Sequence, residues 1–189
     1  MVQFTSKAIV ALVAGIFASG AVAQCNPPAV NQATVNLVAE FEGWSPTIYS
    51  DPSGYPTVGY GHLCRDSRCS DVPYPIPLSV ANGQALLQSD LAVARRCITL
   101  GTNSRVVLNA NQYGALVSWA FNVGCGNAGS STLISRLNAG QNPNTVAAEE
   151  LPRWTYSNGV QLPGLVRRRN AEVALHRTAT SVPALPACS

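Results

Sequence analysis

The sequence predicts an α+β fold, with a small sheet lobe near the N-terminus followed by a larger, mostly helical lobe. Two observations carry this prediction. Residues 47–60 contain two short strands around a turn, and from residue 79 onwards apolar residues recur at helical spacing in blocks separated by Gly and Pro. No internal repeat is visible in the sequence, so residues 24–189 are expected to form one domain.

Residues 1–23 have the pattern of a secretory signal. Lys7 precedes an apolar run over residues 8–17, and small residues follow up to Ala23. This run is shorter than the roughly 20 apolar residues that cross a bilayer, and no later stretch is long enough either. We therefore expect cleavage before Gln24 and a secreted, extracellular protein that does not act as a membrane protein.

The first helix and the hairpin follow from caps and turn chemistry. Apolar residues recur at helical spacing between Asn31, a plausible N-cap, and Gly43, which suits the C-terminal end of a helix. Residues 47–51 then indicate a strand, and Asp51-Pro52-Ser53-Gly54 has the composition of a β-turn. The second strand is expected over 57–60.

The remaining elements are helical after an irregular loop. Residues 64–78 are rich in Pro and Cys and show no periodicity, which predicts the loop. A helix is expected from a cap at Ser79 through Ile98, and another after Asn109, ending near Gly124. Further short helices are expected at 131–138, 145–151 and 164–177.

The six cysteines indicate disulfides, because their number is even and the chain is expected to be exported. Cys64 and Cys69 are close enough in sequence to close one surface loop. Cys25 and Cys188 lie in Pro-flanked terminal segments, and chain termini often lie close together. The pairings expected are therefore Cys25–Cys188, Cys64–Cys69 and Cys97–Cys125.

Metal and nucleic-acid sites are weakly supported. The cysteines contain no CxxC pair, and His62 and His176 lack ligand-like spacing to them, so no metal is expected. The net charge of +3 is small, and the basic cluster at 167–169 is not interleaved with aromatic residues, which argues against nucleic acid as a partner.

The stretch at 40–62 concentrates chemistry in a chain that has nine carboxylates. Glu40 and Glu42 would point to nearly opposite sides of a helix, because two residues rotate about 200°. Glu40 is most simply a solvated helix residue. Glu42 ends its helix against Phe41 and Trp44, and both the helix C-terminus and the apolar neighbours favour the neutral carboxylic acid. A neutral carboxyl is what a general acid must be.

Asp51 and Thr57 could complete a hydrolytic site with Glu42. Asp51 opens the turn, where solvent and backbone amides favour the ionised form, and the Thr57 hydroxyl could hold a water that Asp51 also orients. Glycosidic hydrolysis needs such an acid, carboxylate and water. Asp is also a common residue at the start of a turn, and Thr is common in strands, so the residues alone leave a structural interpretation open.

The segment FEGWSPTIYSDPSGYPTVGYGH resembles the catalytic signature of the phage-type lysozymes, glycoside hydrolase family 24. That signature is E-G, then A-Y-x-D, then G-x-x-T-x-G-Y-G-H, and the spacings from Glu42 to Asp51 and on to Thr57 match it. Resemblance continues through 86–91, 120–124, 131–133, 153–154 and 162–169.

The resemblance implies a cleft between the two lobes and an inverting, endo-acting muramidase that cuts peptidoglycan between N-acetylmuramic acid and N-acetylglucosamine. It implies Glu42 as general acid, with Asp51 and Thr57 handling the water. It also implies an arginine near the acid, with Arg167 preferred and Arg168 as the alternative. Residues implied to contact substrate are Leu63, Phe121, Asn122, Thr132 and Arg167, although Phe121 also suits the core and Thr132 a helix cap.

The resemblance pairs His62 with Asp90, which would tie the hairpin to the following helix. We expect this pair to be structural rather than catalytic, because histidines often pair with carboxylates without doing chemistry. This chain departs from the phage pattern in its export signal, its cysteines and its long 64–78 loop, which could reshape the cleft.

The sequence therefore predicts a secreted, bacteriolytic and antimicrobial lysozyme, monomeric and free of cofactors, with peptidoglycan as its partner. Two alternatives remain at this point. One is a chitinase or chitosanase, which uses similar paired carboxylates. The other is a non-catalytic cell-wall-binding protein, against which the intact Glu42, Asp51 and Thr57 argue.

Overall fold

The computed structural model describes residues 26–187. The expected signal at 1–23 and the expected pair Cys25–Cys188 lie outside these residues. None of the helices within 26–187 combines the length and the apolar character that crossing a membrane requires.

The described chain is α+β, as predicted. The helices are α1 Gln32–Glu42, α2 Val80–Asp90, α3 Ala92–Gly101, α4 Ala110–Val123, α5 Cys125–Gly129, α6 Thr132–Asn138, α7 Pro143–Glu150 and α8 Pro163–Arg177, with a 3-10 turn at Leu151–Arg153. The strands are β1 Ser45–Ser50, β2 Pro56–Gly59, β3 His62–Leu63, β4 Leu108–Asn109, β5 Tyr156–Ser157, β6 Val160–Gln161 and β7 Pro183–Leu185.

Side-chain caps place the helix starts where the sequence predicts them. The Asn31 side chain accepts a hydrogen bond from the Thr34 amide, and Ser79 accepts one from the Asn82 amide. Asn109 and Gln112 form a reciprocal capping box at the start of α4. At the other end of α1, Gly43 has φ of 77°, which glycine adopts without steric cost, so the chain turns directly into β1.

The predicted helix from Ser79 to Ile98 is in fact two helices, α2 and α3, separated at Leu91. The apolar spacing continues across this break through the buried residues Leu87, Leu91 and Ala94. A pattern of side chains does not reveal a local change in backbone direction when the same face stays buried. The strand pairs β4–β7 and β5–β6 and the short helix α5 were not predicted either.

The three antiparallel strands β1–β2–β3 and the loop up to residue 78 form the sheet lobe, residues 45–78. Its apolar cluster consists of Val58, Cys64, Cys69 and Leu78, closed by Leu86 from α2. α1 and residues 80–187 form the helical lobe. Its core is much larger and includes the fully buried Leu116, Trp119 and Leu133.

Two disulfides lie within the described chain, and they join the pairs expected from the sequence. Cys64–Cys69 closes a loop of the sheet lobe, with Cα atoms 4.8 Å apart. Cys97–Cys125 joins α3 to α5 in the helical lobe, with Cα atoms 5.7 Å apart.

α1 lies very close to α4 at Gly114. A Cβ atom at position 114 would overlap the hydroxyl and Cβ of Thr34 on α1. Glycine therefore permits the contact between the two helices at this point. Because α1 carries Glu42 at its last residue, this contact fixes the helix that presents the predicted acid.

Candidate active site

Glu42 lies at the end of α1 and is held by an arginine. The Arg168 Nη1 donates to Glu42 Oε1 at 2.7 Å. The Glu42 side chain keeps a quarter of its surface exposed, at 25%, whereas Arg168 is buried at 5%. The contact is a charge-assisted hydrogen bond, so a buried cation lies directly against the carboxyl of Glu42.

The preference for Arg167 as the partner of Glu42 is wrong, and the alternative Arg168 is correct. Successive helical residues point about 100° apart, so Arg167 and Arg168 approach the end of α1 from different sides, and only one reaches Glu42 from the buried side of α8. Arg168 does so, while Arg167 is exposed. Arg167 instead lies over the Phe41 ring, with its guanidinium carbon 5.5 Å from the ring centroid.

A buried polar network supports Arg168. Glu172, one turn further along α8, accepts from the Ser118 hydroxyl at 2.8 Å and from Arg168 Nε at 3.4 Å. The next arginine, Arg169, is 2.9 Å from Glu172 and donates to Asn122 Oδ1 at 2.8 Å. Burial raises the pKa of Glu172, against the opposing charges of its arginines. Burial also lowers the pKa of Arg169 to about 10, so it stays charged at neutral pH.

Asp51 and Thr57 are joined through the backbone of Tyr55. The Asp51 Oδ1 accepts from the amides of Ser53 at 2.9 Å and Tyr55 at 2.8 Å. The Thr57 hydroxyl donates to the Tyr55 carbonyl at 3.1 Å. Neither Asp51 bond uses Oδ2, and the Thr57 oxygen keeps its acceptor capacity, so both side chains retain acceptors for a water molecule.

The register of the sheet places Thr57 beside two exposed apolar side chains. Thr57 is directly opposite Tyr49 on β1 and Leu63 on β3, so these three side chains share one face of the sheet. Tyr49 is 40% exposed and Leu63 is 56% exposed, whereas Thr57 between them is 3% exposed. On the other face, Val58 packs into the sheet lobe.

A cavity of about 520 Å³ opens beside Glu42. It brings together Glu42, Asn122 and Arg167 from the predicted set, but Asp51, Thr57, Leu63 and Thr132 are not among its lining residues. A second cavity of about 410 Å³ adjoins it along α8. The residues that line the first are Phe41, Glu42, Asn122, Leu162, Pro163, Gly164, Leu165, Arg167 and Arg168.

Of the aromatic residues and the threonine considered for substrate contact, some are buried in the core and one is exposed. Trp119 is fully buried and Trp154 packs edge-on against it, with centroids 5.4 Å apart, so both serve the core. Phe121 is partly buried against the same core. Thr132 is exposed at the first position of α6, where Ser131 is the capping residue, so the suggested capping role of Thr132 is wrong.

His62 pairs with Asp90, as expected, and also with a second carboxylate. Its Nδ1 is 2.8 Å from Asp90 Oδ1, and its Nε2 is 3.2 Å from Asp71 Oδ2 in the 64–78 loop. Burial lowers the pKa of His62, but the hydrogen bonds and charges of Asp90 and Asp71 outweigh it and raise the pKa overall. Burial raises the pKa of Asp90, whereas hydrogen bonding to the Arg65 amide lowers that of Asp71.

Sequence reasoning missed three polar residues that the structure makes important. They are Glu172, Asp71 and the buried His176, whose pKa is lowered by burial to about 4. The spacing of four residues between Arg168 and Glu172 was an available signal, because such pairs meet on one helix face. Asp71 offered no signal, since its approach to His62 depends on the conformation of the loop.

Comparison with known proteins extends the match across most of the chain. The family model described as Phage lysozyme matches residues 39–172. The endolysin of Bacillus phage PZA is 36% identical over 155 residues, which cover 80% of this chain and 56% of that protein. The chain thus spans about half the length of this relative and of the endolysin of Bacillus phage B103, of which it covers 55%.

Two solved structures resemble the fold. The muramidase domain of SpmX from Asticaccaulis excentricus has a TM-score of 0.65 at 30% identity, and the match covers 79% of this chain and 98% of that one. A mutant of P22 lysozyme has a TM-score of 0.68 at 27% identity, covering 80% and 99%.

Proposed function

The chain belongs to the phage lysozyme family, and from this premise we propose that it hydrolyses the β-1,4 bond between N-acetylmuramic acid and N-acetylglucosamine in bacterial peptidoglycan. The same family membership makes it a candidate bacteriolytic enzyme. The observation that carries the proposal is Glu42, which is a quarter exposed and bound to Arg168 at the edge of an open cavity.

Glu42 is the proposed general acid. It transfers its proton to the glycosidic oxygen as the bond between that oxygen and the anomeric carbon breaks. A carboxylate must take up a proton before it can donate one, and the ion pair with Arg168 opposes this uptake. Arg168 favours the charged form that Glu42 returns to after donation, so the pair assists the proton transfer itself.

Asp51 and Thr57 are the proposed water-handling pair. Water attacks the anomeric carbon and gives its proton to Asp51, while the Thr57 oxygen orients it as an acceptor. The shared backbone of Tyr55 supports this pairing, since it couples the positions of both side chains. Attack from the face opposite the leaving group inverts the anomeric configuration.

The proposed substrate contacts lie on both lobes. Asn122 and Arg167 line the cavity beside Glu42, and Leu63 is exposed on the sheet face that carries Thr57. Phe121 and Thr132 extend the proposed contact surface from the helical lobe. Each role is a proposal that single substitutions can test through KM.

The decisive experiment is turbidity clearing of purified bacterial cell walls by the Glu42→Gln variant, which keeps the shape of the side chain but has no acidic proton. We expect clearing to fall by at least about 100-fold, the order of magnitude that general acid catalysis supplies. Glu40→Gln is the matched control, because Glu40 lies on the same helix and is exposed. Clearing by Glu42→Gln at the parent rate would overturn the proposal.

Two further measurements separate the roles. Asp51→Asn is expected to slow clearing strongly, and NMR of the first released products is expected to show inverted anomers. Retained configuration would contradict direct attack by water. Products from chitin oligomers, with none from peptidoglycan, would identify a chitinase instead.

The proposed place of action is outside the producing cell. The signal-like pattern at 1–23 and the disulfides Cys64–Cys69 and Cys97–Cys125 support this, because disulfides persist in oxidising compartments. We propose that the enzyme acts there as a monomer. Fractionation of an expressing culture, followed by non-reducing mass analysis, tests the cleavage at Gln24 and the pairing of Cys25 with Cys188.

A further inference from the structure

We propose that Glu172 is a positioning residue for the reaction: from the buried side of α8 it aligns Arg168 on Glu42 and Arg169 on Asn122. A single carboxylate would thereby set two side chains at the wall of the cavity. This inference rests on the proposed role of Glu42 as the acid.

The carboxylate of Glu172 is completely buried and anchored from another helix. It is 0% exposed, and Ser118 on α4 donates its hydroxyl proton to Oε1 at 2.8 Å. Oε1 accepts from Arg168 Nε at 3.4 Å and from Arg169 Nη2 at 3.2 Å, while Oε2 is 2.9 Å from Arg169 Nε. A buried charge is costly unless it is paired, so Glu172 and its arginines form one interdependent unit.

The first branch of this unit ends at the proposed acid. Arg168 Nε is directed at Glu172 and Nη2 at the Ser118 carbonyl at 3.4 Å, which fixes the plane of the guanidinium group. The remaining nitrogen, Nη1, then meets Glu42 at 2.7 Å. Without Glu172, Arg168 would lose one of the two contacts that fix this plane.

The second branch ends at Asn122. Arg169 Nη2 donates to Asn122 Oδ1 at 2.8 Å and to Glu172 Oε1 at 3.2 Å. Because the Asn122 oxygen accepts from Arg169, its NH₂ group is the end left for the cavity. Asn122 is thereby set as a hydrogen-bond donor, which suits a carbonyl oxygen such as that of an N-acetyl group.

Few other charges act on this unit within the described residues. α4 carries no charged side chain, and α1 contributes Glu42 together with the exposed Glu40. α8 adds the exposed Arg167, which lines the same cavity as Glu42. On α7 and the 3-10 turn, Glu149 and Glu150 pair with Arg136, and Arg153 pairs with Glu150. His176, one turn beyond Glu172 on α8, faces Asn144.

The charge balance gives the proposal a signature that a merely structural role would lack. Glu172 offsets part of the positive charge that Arg168 and Arg169 present to Glu42. Removing its charge would leave Glu42 in a more positive environment and make protonation of the acid harder. The alkaline limb of the pH–activity profile, where the acid loses its proton, should then move to lower pH.

The experiment measures kcat and KM from pH 4 to 9 for Glu172→Gln and Glu172→Asp on soluble peptidoglycan fragments. For Glu172→Gln we expect the alkaline limb to move down by about one pH unit and kcat to fall at least about tenfold. Glu172→Asp keeps the charge on a shorter side chain, and it should restore the position of the limb while kcat remains reduced. An unmoved limb in folded Glu172→Gln would overturn the inference.

Glu150→Gln is the matched control, because Glu150 is also a buried carboxylate, 3% exposed, and is 2.7 Å from Arg136. It should lower thermal stability without moving the limb. If Glu172→Gln does not fold, Ser118→Ala replaces it. We then expect kcat per folded molecule to fall about threefold with KM unchanged, and an unchanged kcat would overturn the inference. Failure of the proposed function is separately visible, since Glu42→Gln would then stay active.

Discussion

The two lobes of this lysozyme-family chain are stabilised in different ways. Within residues 26–187, the helical lobe buries a core of 22 residues, whereas the cluster of the sheet lobe has five, two of which are disulfide cysteines. The sheet lobe compensates with one short covalent loop and with His62 between two carboxylates. Apolar burial therefore dominates one lobe, and covalent and ionic contacts carry more of the other.

This difference separates the proposed catalytic groups. Glu42 is anchored to the helical lobe through α1 and Arg168, while Asp51 and Thr57 belong to the sheet lobe. Regions with few buried apolar contacts open more readily than a large core. The proposed acid and the proposed water-handling pair therefore depend on different stabilising forces, and we expect that opening the sheet lobe alone would abolish activity.

Replacing one buried leucine by alanine in each lobe compares the two cores directly, and it should give the largest loss of unfolding free energy. Leu116→Ala in the helical core should cost about 4 kcal/mol of unfolding free energy, and Leu78→Ala in the sheet lobe about 2 kcal/mol. The smaller cluster can relax more easily around the lost volume. Urea unfolding monitored by tryptophan fluorescence measures both values. Equal losses would show that the two cores tolerate the lost volume equally well, which would contradict the difference between the lobes.

Loss of the disulfide in the helical lobe should also cost more unfolding free energy than loss of the disulfide in the sheet lobe. Cys97–Cys125 closes a separation of 28 residues, and replacing both cysteines with alanine should cost about 3.5 kcal/mol. Cys64–Cys69 closes a separation of five residues, and its loss should cost about 2 kcal/mol. Thermal unfolding of each double variant measures the difference. A larger loss for the short loop would mean that strand pairing in the sheet lobe depends on it.

His176 should make the helical lobe sensitive to acid. Burial lowers its pKa from 6.5 to about 4, so its stabilising contribution is complete above pH 6.5 and is lost as pH falls towards 4. The loss should amount to roughly 3 kcal/mol at pH 4. Urea unfolding at several pH values should show this slope, and His176→Gln should flatten it. An unchanged slope in that variant would assign the acid sensitivity to other groups.

His62 should have the opposite and smallest effect. Its pKa is raised overall, so its stabilisation is complete below the unfolded value of 6.5 and is lost as pH rises through the folded value. Amide exchange protection in β2 and β3, corrected for intrinsic rates, should therefore be higher at pH 6 than at pH 8. His62→Asn should remove this difference. Greater protection at pH 8 would contradict the ionic role of His62.

Much of the fold could be predicted because local signals agreed with tertiary structure. The caps Asn31 and Ser79 and the break at Gly124 determine where helices start and stop. The division at Leu91 could not be predicted, since the apolar pattern continues through it. Pairing of β4 with β7 joins residues far apart in the chain, and no local pattern specifies such a partner.

The candidate site was less predictable because it depends on which face of α8 is buried. Arg167 and Arg168 differ by one position, and only the docking of α8 on α1 and α4 distinguishes them. The same docking buries Glu172 and His176, polar residues that a sequence pattern assigns to solvent. Motif resemblance therefore gave the proposed reactive residues, while the residues that hold them required tertiary structure.

The close approach of α1 and α4 at Gly114 restricts which substitutions the protein can accept during evolution. Glu42 depends for its placement on a residue 72 positions downstream that has no side chain and takes no part in the proposed reaction. Any larger residue at 114 would push α1 away from α4. A lineage could thus lose the proposed activity while Glu42, Asp51 and Thr57 all remained intact, and an inspection of those three residues alone would miss the damage.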